Sequence, residues 1–185
     1  MIAAVVLAAG ASTRLGEPKQ LVRIAGERML ERAVRVAREA GCDPVVVLGA
    51  GAGRIAAICE LGGARVVVND GWAEGMASSL RLGIAAVAAD VARAVVMTCD
   101  QPAVTPEHLR RLIDLCLDTP VASSYAGRRG VPACFPASAF AELLQLGGDA
   151  GARRLLQAAE AVELLGGELD IDTTEALELA QRLYG

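Results

Sequence analysis

The chain has 185 residues, of which 54% are hydrophobic and 3% aromatic, and its formal net charge is −4 at pH 7. This length allows one full hydrophobic core and is too short for two ordinary domains, so we expect residues 1–185 to form a single domain. An acidic chain lacks the general positive field of nucleic-acid-binding proteins, which argues against a nucleic-acid partner.

The first predicted element is a strand over residues 2–8, a continuous apolar run without polar alternation. Such runs are typical of strands that are covered on both faces of a sheet. The run is too short for a membrane span and no charged segment precedes it, so we expect neither a signal peptide nor a membrane partner. Five dispersed cysteines without a secretory leader favour reduced thiols, and hence a cytoplasmic location.

The loop that follows, over residues 9–21, has the features of a phosphate site. Its small residues let backbone N–H groups approach a phosphate chain, and Arg14 and Lys19 can neutralise the phosphate charge. Lys19 is the only lysine among eighteen basic residues. Because lysine is a compact point charge and arginine a planar fork, its retention here favours a function, with chance retention on a solvated loop as the alternative. The loop is not an ATPase P-loop, since Gly-Lys-Ser/Thr does not follow.

Helices and strands alternate along the rest of the chain. Apolar periodicity predicts helices over residues 28–40, 51–61, 76–89, 137–146, 151–160 and 174–183, and another that begins at Thr105. Buried apolar runs predict strands over residues 45–48, 65–68, 94–98, 121–125, 131–135 and 162–165. We expect His108, the only histidine, on the exposed face of its helix. The alternation indicates a doubly wound α/β fold with a largely parallel sheet, in which ligands bind beyond the carboxyl ends of the strands.

Three aspartates are candidate metal ligands. Asp100 directly follows the strand over residues 94–98, and magnesium usually takes one or two carboxylates together with substrate phosphates. The alternative for Asp100 is a turn or a helix cap. Asp170 and Asp172 lie two residues apart in an extended segment, so only one of them faces a given site. The other interpretation is that one of this pair caps the last helix, and for Asp170 we favour a structural role.

The loop between the third strand and the third helix can accept a polar ligand. Gly75 permits close approach to the backbone, and Ser78 and Ser79 lie in the first helical turn, where free N–H groups favour anions. Trp72 in the same loop fits a packing role better than stacking on a ligand ring.

A second glycine-rich segment resembles a dinucleotide fingerprint. Gly51 and Gly53 follow a strand and open a helix, with Asp70 about twenty residues further on. That fingerprint normally follows the first strand of its fold, where this chain has the phosphate loop. An NAD-dependent dehydrogenase is therefore the weaker hypothesis.

The first loop resembles the signature loop of the MobA-like nucleotidyltransferases, and within them that of the molybdenum cofactor cytidylyltransferases. The matching residues are Leu7, Ala8, Ala9, Gly10, Ser12, Arg14, Gly16, Lys19, Gln20 and Leu21. The resemblance implies a Rossmann-like three-layer sandwich of the nucleotide-diphospho-sugar-transferase type with a mostly parallel mixed sheet. It also implies that Leu7, Ala8, Ala9 and Gly10 line the nucleotide site and that Mg²⁺ is the cofactor.

Further residues take expected roles from the same resemblance. It implies catalytic roles for Arg14, Lys19 and Asp100, and a metal site made of Asp100 and Asp172. The residues expected to bind the nucleotide are Arg14, Lys19, Asn69, Gly75, Ser78 and Ser79. Those expected on the acceptor side are Gly130, Pro132, Asp149 and Arg153. Val131 departs from the histidine that this group usually carries between the glycine and the proline.

The resemblance implies transfer of CMP from CTP to a phosphate-bearing acceptor, with release of pyrophosphate. Cytidine is favoured because Leu-Ala-Ala-Gly at residues 7–10 resembles the cytidylyltransferase loop, whereas guanylyl-transferring relatives tend to have Leu-Ala-Gly-Gly. The implied acceptor is molybdopterin, which gives the cytosine dinucleotide cofactor for a recipient molybdoenzyme. The alternatives are another NTP, a sugar or polyol phosphate acceptor, and a catalytically silent nucleotide-binding or cofactor-handling chaperone.

Overall fold

The computed structural model describes residues 1–87, 89–147 and 152–185. Its strands are β1 (Ile2–Ala8), β2 (Arg23–Ile24), β3 (Glu27–Arg28), β4 (Asp43–Leu48), β5 (Arg65–Val68), β6 (Arg93–Thr98), β7 (Val121–Tyr125), β8 (Arg128–Pro136) and β9 (Glu160–Glu163). Its helices are α1 (Met29–Glu39), α2 (Ala52–Ile58), α3 (Met76–Ala85), α4 (Pro106–Leu115), α5 (Phe140–Leu143), α6 (Arg153–Leu156) and α7 (Thr174–Tyr184), with short 3₁₀ turns at Trp72–Glu74 and Ala137–Ala139.

Seven of these strands form one mixed sheet in the order β5-β4-β1-β6-β8-β7-β9, and β2 and β3 form a small separate hairpin. The pairs β1–β4, β1–β6, β4–β5 and β7–β9 are parallel, and β8 runs antiparallel to both β6 and β7. The expected α/β fold with a mostly parallel mixed sheet is therefore confirmed. None of the helices in the described part of the chain combines the length and apolarity needed to cross a membrane.

Strand β1 lies inside the sheet, between β4 and β6, and helices cover both of its faces. Alternate side chains along a strand point to opposite faces. Ala4 and Val6 accordingly pack in the layer that contains α1 and α4, and Val5 and Leu7 pack in the layer that contains α3. A strand covered on both faces needs apolar residues at every position, which explains the run that the sequence shows.

Two helices predicted in the second half of the chain are shorter in the structure. The helix predicted over residues 137–146 is reduced to a 3₁₀ turn and the four residues of α5, and the one predicted over 151–160 is reduced to α6. Glu160 already belongs to β9, because this segment pairs in parallel with β7 and buries Val162. Pairing with a distant strand overrides the local helical periodicity. The helix predicted over 76–89 ends at Ala85, and the β2–β3 hairpin was not predicted.

Glycine 83 allows α3 to lie close to the sheet, and this contact is testable. A Cβ at Gly83 would overlap Val5 Cγ1 and approach Val47 Cγ2 to 3.0 Å. Because both valines are fully buried in the sheet, Gly83→Ala should lower the free energy of unfolding by about 1–3 kcal/mol, measured by urea denaturation. Gly53→Ala in α2 is the matched control, since its Cβ meets no atom within 4 Å. An equal effect of the two substitutions would contradict this packing.

Candidate active site

The loop over residues 9–21 lies beyond the carboxyl end of β1 and curls around Ser12. The Ser12 carbonyl accepts hydrogen bonds from the backbone N–H groups of Leu15 (3.1 Å) and Gly16 (3.2 Å). The Ser12 hydroxyl oxygen accepts one from the backbone N–H of Lys19 at 3.1 Å. Ser12 and Gly16 both have positive φ, 55° and 82°, which turns the chain back on itself. Gly10 is exposed, so its backbone is open to a ligand.

Gln20 closes this loop, a role that the sequence did not indicate. Its side chain is fully buried, and its amide nitrogen donates to the carbonyls of Ala8 (2.7 Å) and Gly10 (3.1 Å). One buried amide thus joins the exit of the loop to its entrance. The motif contained Gln20, but only the tertiary structure shows that its side chain is buried.

Lys19 joins the loop to two carboxylates from distant parts of the chain. Its ammonium donates to Asp100, at the end of β6, and to Asp172 Oδ1 at 2.9 Å. Arg14 Nη2 donates to the other oxygen of Asp172 at 2.8 Å. The backbone N–H of Ile171 donates to the Asp100 carbonyl at 3.0 Å, which fixes the segment that carries Asp172 against the end of β6. The four predicted residues Arg14, Lys19, Asp100 and Asp172 therefore meet in one cluster.

The charges in this cluster shift one another's pKa values. Burial disfavours the charged form of Lys19, but attraction and hydrogen bonds from Asp100 and Asp172 outweigh it and raise the pKa of Lys19 above its usual value. Burial alone would raise the pKa of Asp172, but hydrogen bonds and attraction from Lys19 and Arg14 outweigh it and lower that pKa. Burial and the negative charges of Asp100 and Asp172 raise the pKa of Asp170 to about 6.

Asp170 therefore lies within electrostatic reach of the cluster, although no side-chain hydrogen bond to it is found among the described residues. Neither Asp170 nor Asp172 caps α7. That cap is Thr173, whose hydroxyl oxygen accepts from the backbone N–H of Ala176 at 3.2 Å.

The two carboxylates fit a divalent ion only in part. Asp100 Oδ1 is buried and has no hydrogen-bond partner in the described structure, so one lone-pair face of this carboxylate is available to a cation. The described residues contain no group of three or more metal-ligating side chains. Asp100 and Asp172 thus match a hard cation that takes its remaining ligands from phosphates and water.

Asn69, Ser78 and Ser79 form a buried network beside Gly75. The Asn69 amide donates to the hydroxyls of Ser78 (2.8 Å) and Ser79 (2.9 Å), and its oxygen accepts from the Gly71 N–H at 3.0 Å. The Ser78 hydroxyl donates to the Gly75 carbonyl at 2.8 Å. These side chains therefore bond mainly to one another and fix the shape of the loop after β5.

Trp72, in the same loop, does not fill the core. The residue is 37% exposed, so the fold covers most of its surface, and the expected packing role stays a prediction. It lies near the first loop, because a Cβ at Gly49 would come within 2.7 Å of both Trp72 Cβ and the Ala9 carbonyl oxygen.

The dinucleotide fingerprint lacks its structural basis. Helix α2 has only seven residues, and a Cβ at Gly53 would meet no atom within 4 Å. The last small residue of a true fingerprint permits close packing of helix on strand, but Ala56, which stands at that position here, is exposed.

Of the residues expected on the acceptor side, Gly130 and Pro132 lie on β8, where side chains of β7 hold the backbone. The Tyr125 hydroxyl donates to the Val131 carbonyl at 3.0 Å, and the Ser123 hydroxyl donates to the Pro132 carbonyl at 2.6 Å. Arg153 is exposed at the start of α6. Asp149 lies outside the described residues.

His108 is buried, so its predicted place on an exposed helix face is wrong. Its side chain packs towards β7, and its Nε2 lies 2.7 Å from the Ser123 hydroxyl oxygen. Because that hydroxyl donates its only proton to Pro132, Nε2 carries a proton and donates to Ser123. Burial, with a smaller effect of Arg111, lowers the pKa of His108 to about 4. Helical periodicity places His108 on the same face as Leu109 and Leu112, which are also buried, and the nearby arginines obscured this signal.

Comparison with known proteins identifies a family and several relatives. Residues 4–163 match the model of the MobA-like NTP transferase domain. The chain is 34% identical to nicotine blue oxidoreductase of Paenarthrobacter nicotinovorans, over 99% of this chain and 95% of that protein. It is 35% identical over 108 residues to a probable molybdenum cofactor guanylyltransferase of Opitutus terrae, over 56% of this chain and 50% of that protein.

Solved structures agree with these matches. Rv0371c of Mycobacterium tuberculosis is 36% identical and superposes with a TM-score of 0.87, over 98% of this chain and 97% of that one. A second structure of Rv0371c, 35% identical with a TM-score of 0.81 over 98% of each chain, is a complex with manganese.

The buried His108 predicts a pH dependence of stability. Its pKa is lower in the folded protein than the unfolded value of about 6.5, so acid protonates the unfolded chain first and stability falls below that pH. When the pH falls from 7 to 4.5, the free energy of unfolding should decrease by about 2 kcal/mol less in His108→Gln than in the wild type. Urea denaturation at both pH values measures this, and between pH 7 and pH 8.5 the two proteins should behave alike. An equal loss in acid would show that His108 is not held neutral.

Proposed function

We propose that this chain, which belongs to the MobA-like NTP transferase family, transfers CMP from CTP to a phosphate-bearing acceptor and releases pyrophosphate. Its family makes it a nucleotidyltransferase enzyme. The observation that carries the proposal is the meeting of Arg14, Lys19, Asp100 and Asp172 beyond the carboxyl ends of β1 and β6. We treat residues 1–185 as one nucleotidyltransferase domain, because the segment that carries Asp172 packs on β6.

The proposed chemistry needs positioning and charge neutralisation more than a protein nucleophile. An acceptor phosphate oxygen attacks the α-phosphorus of the triphosphate, and the bond from that phosphorus to the bridging oxygen of pyrophosphate breaks. Residues Leu7 to Gly10 would line the nucleotide. Arg14, which is largely exposed, and Lys19 would neutralise the triphosphate and then the leaving pyrophosphate.

We propose Mg²⁺ as the cofactor, held by Asp100 and Asp172. The manganese complex of Rv0371c supports a divalent ion in this family, and the unpartnered Asp100 Oδ1 supports its place here. Such an ion neutralises phosphate charge and so lowers the cost of bringing two anions together. Within the chain, Lys19 limits the repulsion between the two carboxylates.

The donor and the acceptor are inferred less directly. CTP is favoured by the sequence Leu-Ala-Ala-Gly at residues 7–10. Molybdopterin is favoured by the Opitutus terrae relative, whose name specifies a molybdenum cofactor and a guanylyl group. The product would then pass to a molybdoenzyme. A sugar or polyol phosphate is the alternative acceptor, since Val131 stands where histidine is usual. The five buried, unpaired cysteines support a cytoplasmic location.

Oxidoreduction is the second candidate function. One observation favours it, namely that a relative which aligns over 99% of this chain is named an oxidoreductase. The weak fingerprint at α2 gives that candidate no support.

Pyrophosphate release separates the candidates. With Mg²⁺ and molybdopterin, we expect CTP to release pyrophosphate faster than GTP, ATP and UTP. Phosphate monoesters replace molybdopterin in parallel reactions, to test the alternative acceptors. A protein that releases no pyrophosphate with any pair, yet is thermally stabilised by NAD(H) and not by CTP with Mg²⁺, would overturn the transferase proposal. No pyrophosphate together with stabilisation by CTP would indicate a silent nucleotide-binding protein.

Asp100→Asn tests the proposed metal site. The substitution removes the negative charge of the carboxylate whose Oδ1 has no hydrogen-bond partner in the described structure. The affinity for Mn²⁺, measured by electron paramagnetic resonance, should therefore fall by roughly tenfold or more. Magnesium-dependent pyrophosphate release should fall by about a hundredfold or more. Asp114→Asn, at an exposed position of α4, is the control and should change neither. Wild-type Mn²⁺ affinity in Asp100→Asn would remove this carboxylate from the site.

A further inference from the structure

We propose that Arg128, held on the ring of Tyr125, is the cation that binds the acceptor's phosphate. The inference rests on the proposed function, because it assigns the place of the acceptor in the same site. It adds a residue and a contact that the motif at Gly130 and Pro132 does not contain.

The sheet register places Arg128 at the edge where the carboxylates lie. Strand β8 runs antiparallel to β6, with Val96 opposite Ala133. The start of β8 therefore lies towards the carboxyl end of β6, and Gln101, beyond that end, donates from Nε2 to the Tyr125 hydroxyl at 3.4 Å. Strand β7 ends at this edge too, and Tyr125 is paired with Arg128 across the hairpin. The acceptor motif and the metal-binding carboxylates therefore share one edge of the sheet.

Tyr125 is a rigid platform at this edge. Its hydroxyl donates to the Val131 carbonyl at 3.0 Å and accepts from Gln101 Nε2 at 3.4 Å. A Cβ at Gly130 would overlap the Tyr125 hydroxyl, and one at Gly167 would come within 2.8 Å of Cδ1. Glycines on two sides and hydrogen bonds at the tip thus hold the ring in one position.

Arg128 lies on this platform with its donors free. Its Cζ is 5.5 Å from the centroid of the Tyr125 ring, and the residue is exposed. No hydrogen bond or ion pair of its guanidinium is found among the residues that the structure describes. The neighbouring Arg129 differs, because its Nη1 donates to the Gln157 carbonyl at 3.2 Å.

A side chain next to Asp100 connects the Tyr125 platform to the carboxylate cluster. Gln101, which follows Asp100, links the two sides, since its amide donates to the Gly167 carbonyl at 3.0 Å as well as to Tyr125.

A planar guanidinium with free donors suits a phosphate monoester. It binds two phosphate oxygens through parallel hydrogen bonds, which lysine cannot do. Stacking on an aromatic ring holds the cation without using its donors. A phosphate bound by Arg128 would lie on the acceptor side of Asp100, whereas Arg14 and Lys19 belong to the nucleotide loop.

A comparison of the kinetics of Arg128→Ala with those of Arg129→Ala tests the inference. In pyrophosphate release with CTP, Arg128→Ala should raise the KM for the acceptor by roughly tenfold to a hundredfold, as expected for a lost charge-assisted contact. The KM for CTP should stay within about twofold of wild type, because Arg128 lies outside the nucleotide loop. Arg128→Lys should recover only part of the loss, and Arg129→Ala should resemble the wild type. An unchanged acceptor KM in Arg128→Ala, or an equal rise in Arg129→Ala, would overturn the inference.

Binding of inorganic phosphate, measured by calorimetry, needs no turnover. Arg128→Ala should weaken it and Arg129→Ala should not. If no triphosphate is turned over but phosphate binding still depends on Arg128, the anion site stands and the transferase proposal fails. If pyrophosphate is released while Arg128→Ala retains wild-type phosphate affinity and acceptor KM, the transferase proposal stands and the anion site is wrong.

Discussion

The site depends on one interaction, the ammonium of Lys19 between the carboxylates of Asp100 and Asp172. Asp100 is nearly buried and one of its oxygens has no hydrogen-bond partner among the described residues. A buried carboxylate is costly unless a cation accompanies it, and buried ion pairs often add little net stability. The buried pair of Lys19 and Asp100 is therefore better explained by the proposed phosphate chemistry than by a contribution to stability.

The sheet topology explains how residues so far apart in sequence form this cluster. Parallel pairing of β1 with β6 brings the first loop and Asp100 to one edge. The antiparallel β8 enters the sheet from the same edge, so the proposed acceptor motif near its start lies at the edge that also holds the first loop. Two kinds of strand pairing thus place the two proposed substrates side by side. If β8 ran parallel to β6, its first residues would lie at the opposite edge of the sheet.

Sequence patterns predicted those features that depend on local or repeated signals. The buried strand β1 was predicted from its unbroken apolar run, and Arg14, Lys19, Asp100 and Asp172 were predicted from their motifs. Features that depend on contacts between distant segments were missed. His108 is buried because α4 packs on β7, and Gln20 closes a loop whose two ends meet only in the folded chain. Glu160, the last residue of the helix predicted over 151–160, instead opens β9, which pairs with β7.

The relative named an oxidoreductase raises the question of what the phosphate loop alone implies. A fold hosts different reactions, and a loop that binds a triphosphate can also bind the pyrophosphate of a dinucleotide, so the loop does not separate the two functions. The carboxylates do separate them. In dinucleotide-binding folds the acidic residue binds a ribose hydroxyl and the phosphates meet only backbone groups and a helix N-terminus. Here Asp100 and Asp172 accept hydrogen bonds directly from Lys19 of the first loop, and they would repel phosphates unless further positive charge accompanied them. A nucleoside triphosphate that carries its own divalent ion meets that requirement, and this favours nucleotidyl transfer over hydride transfer.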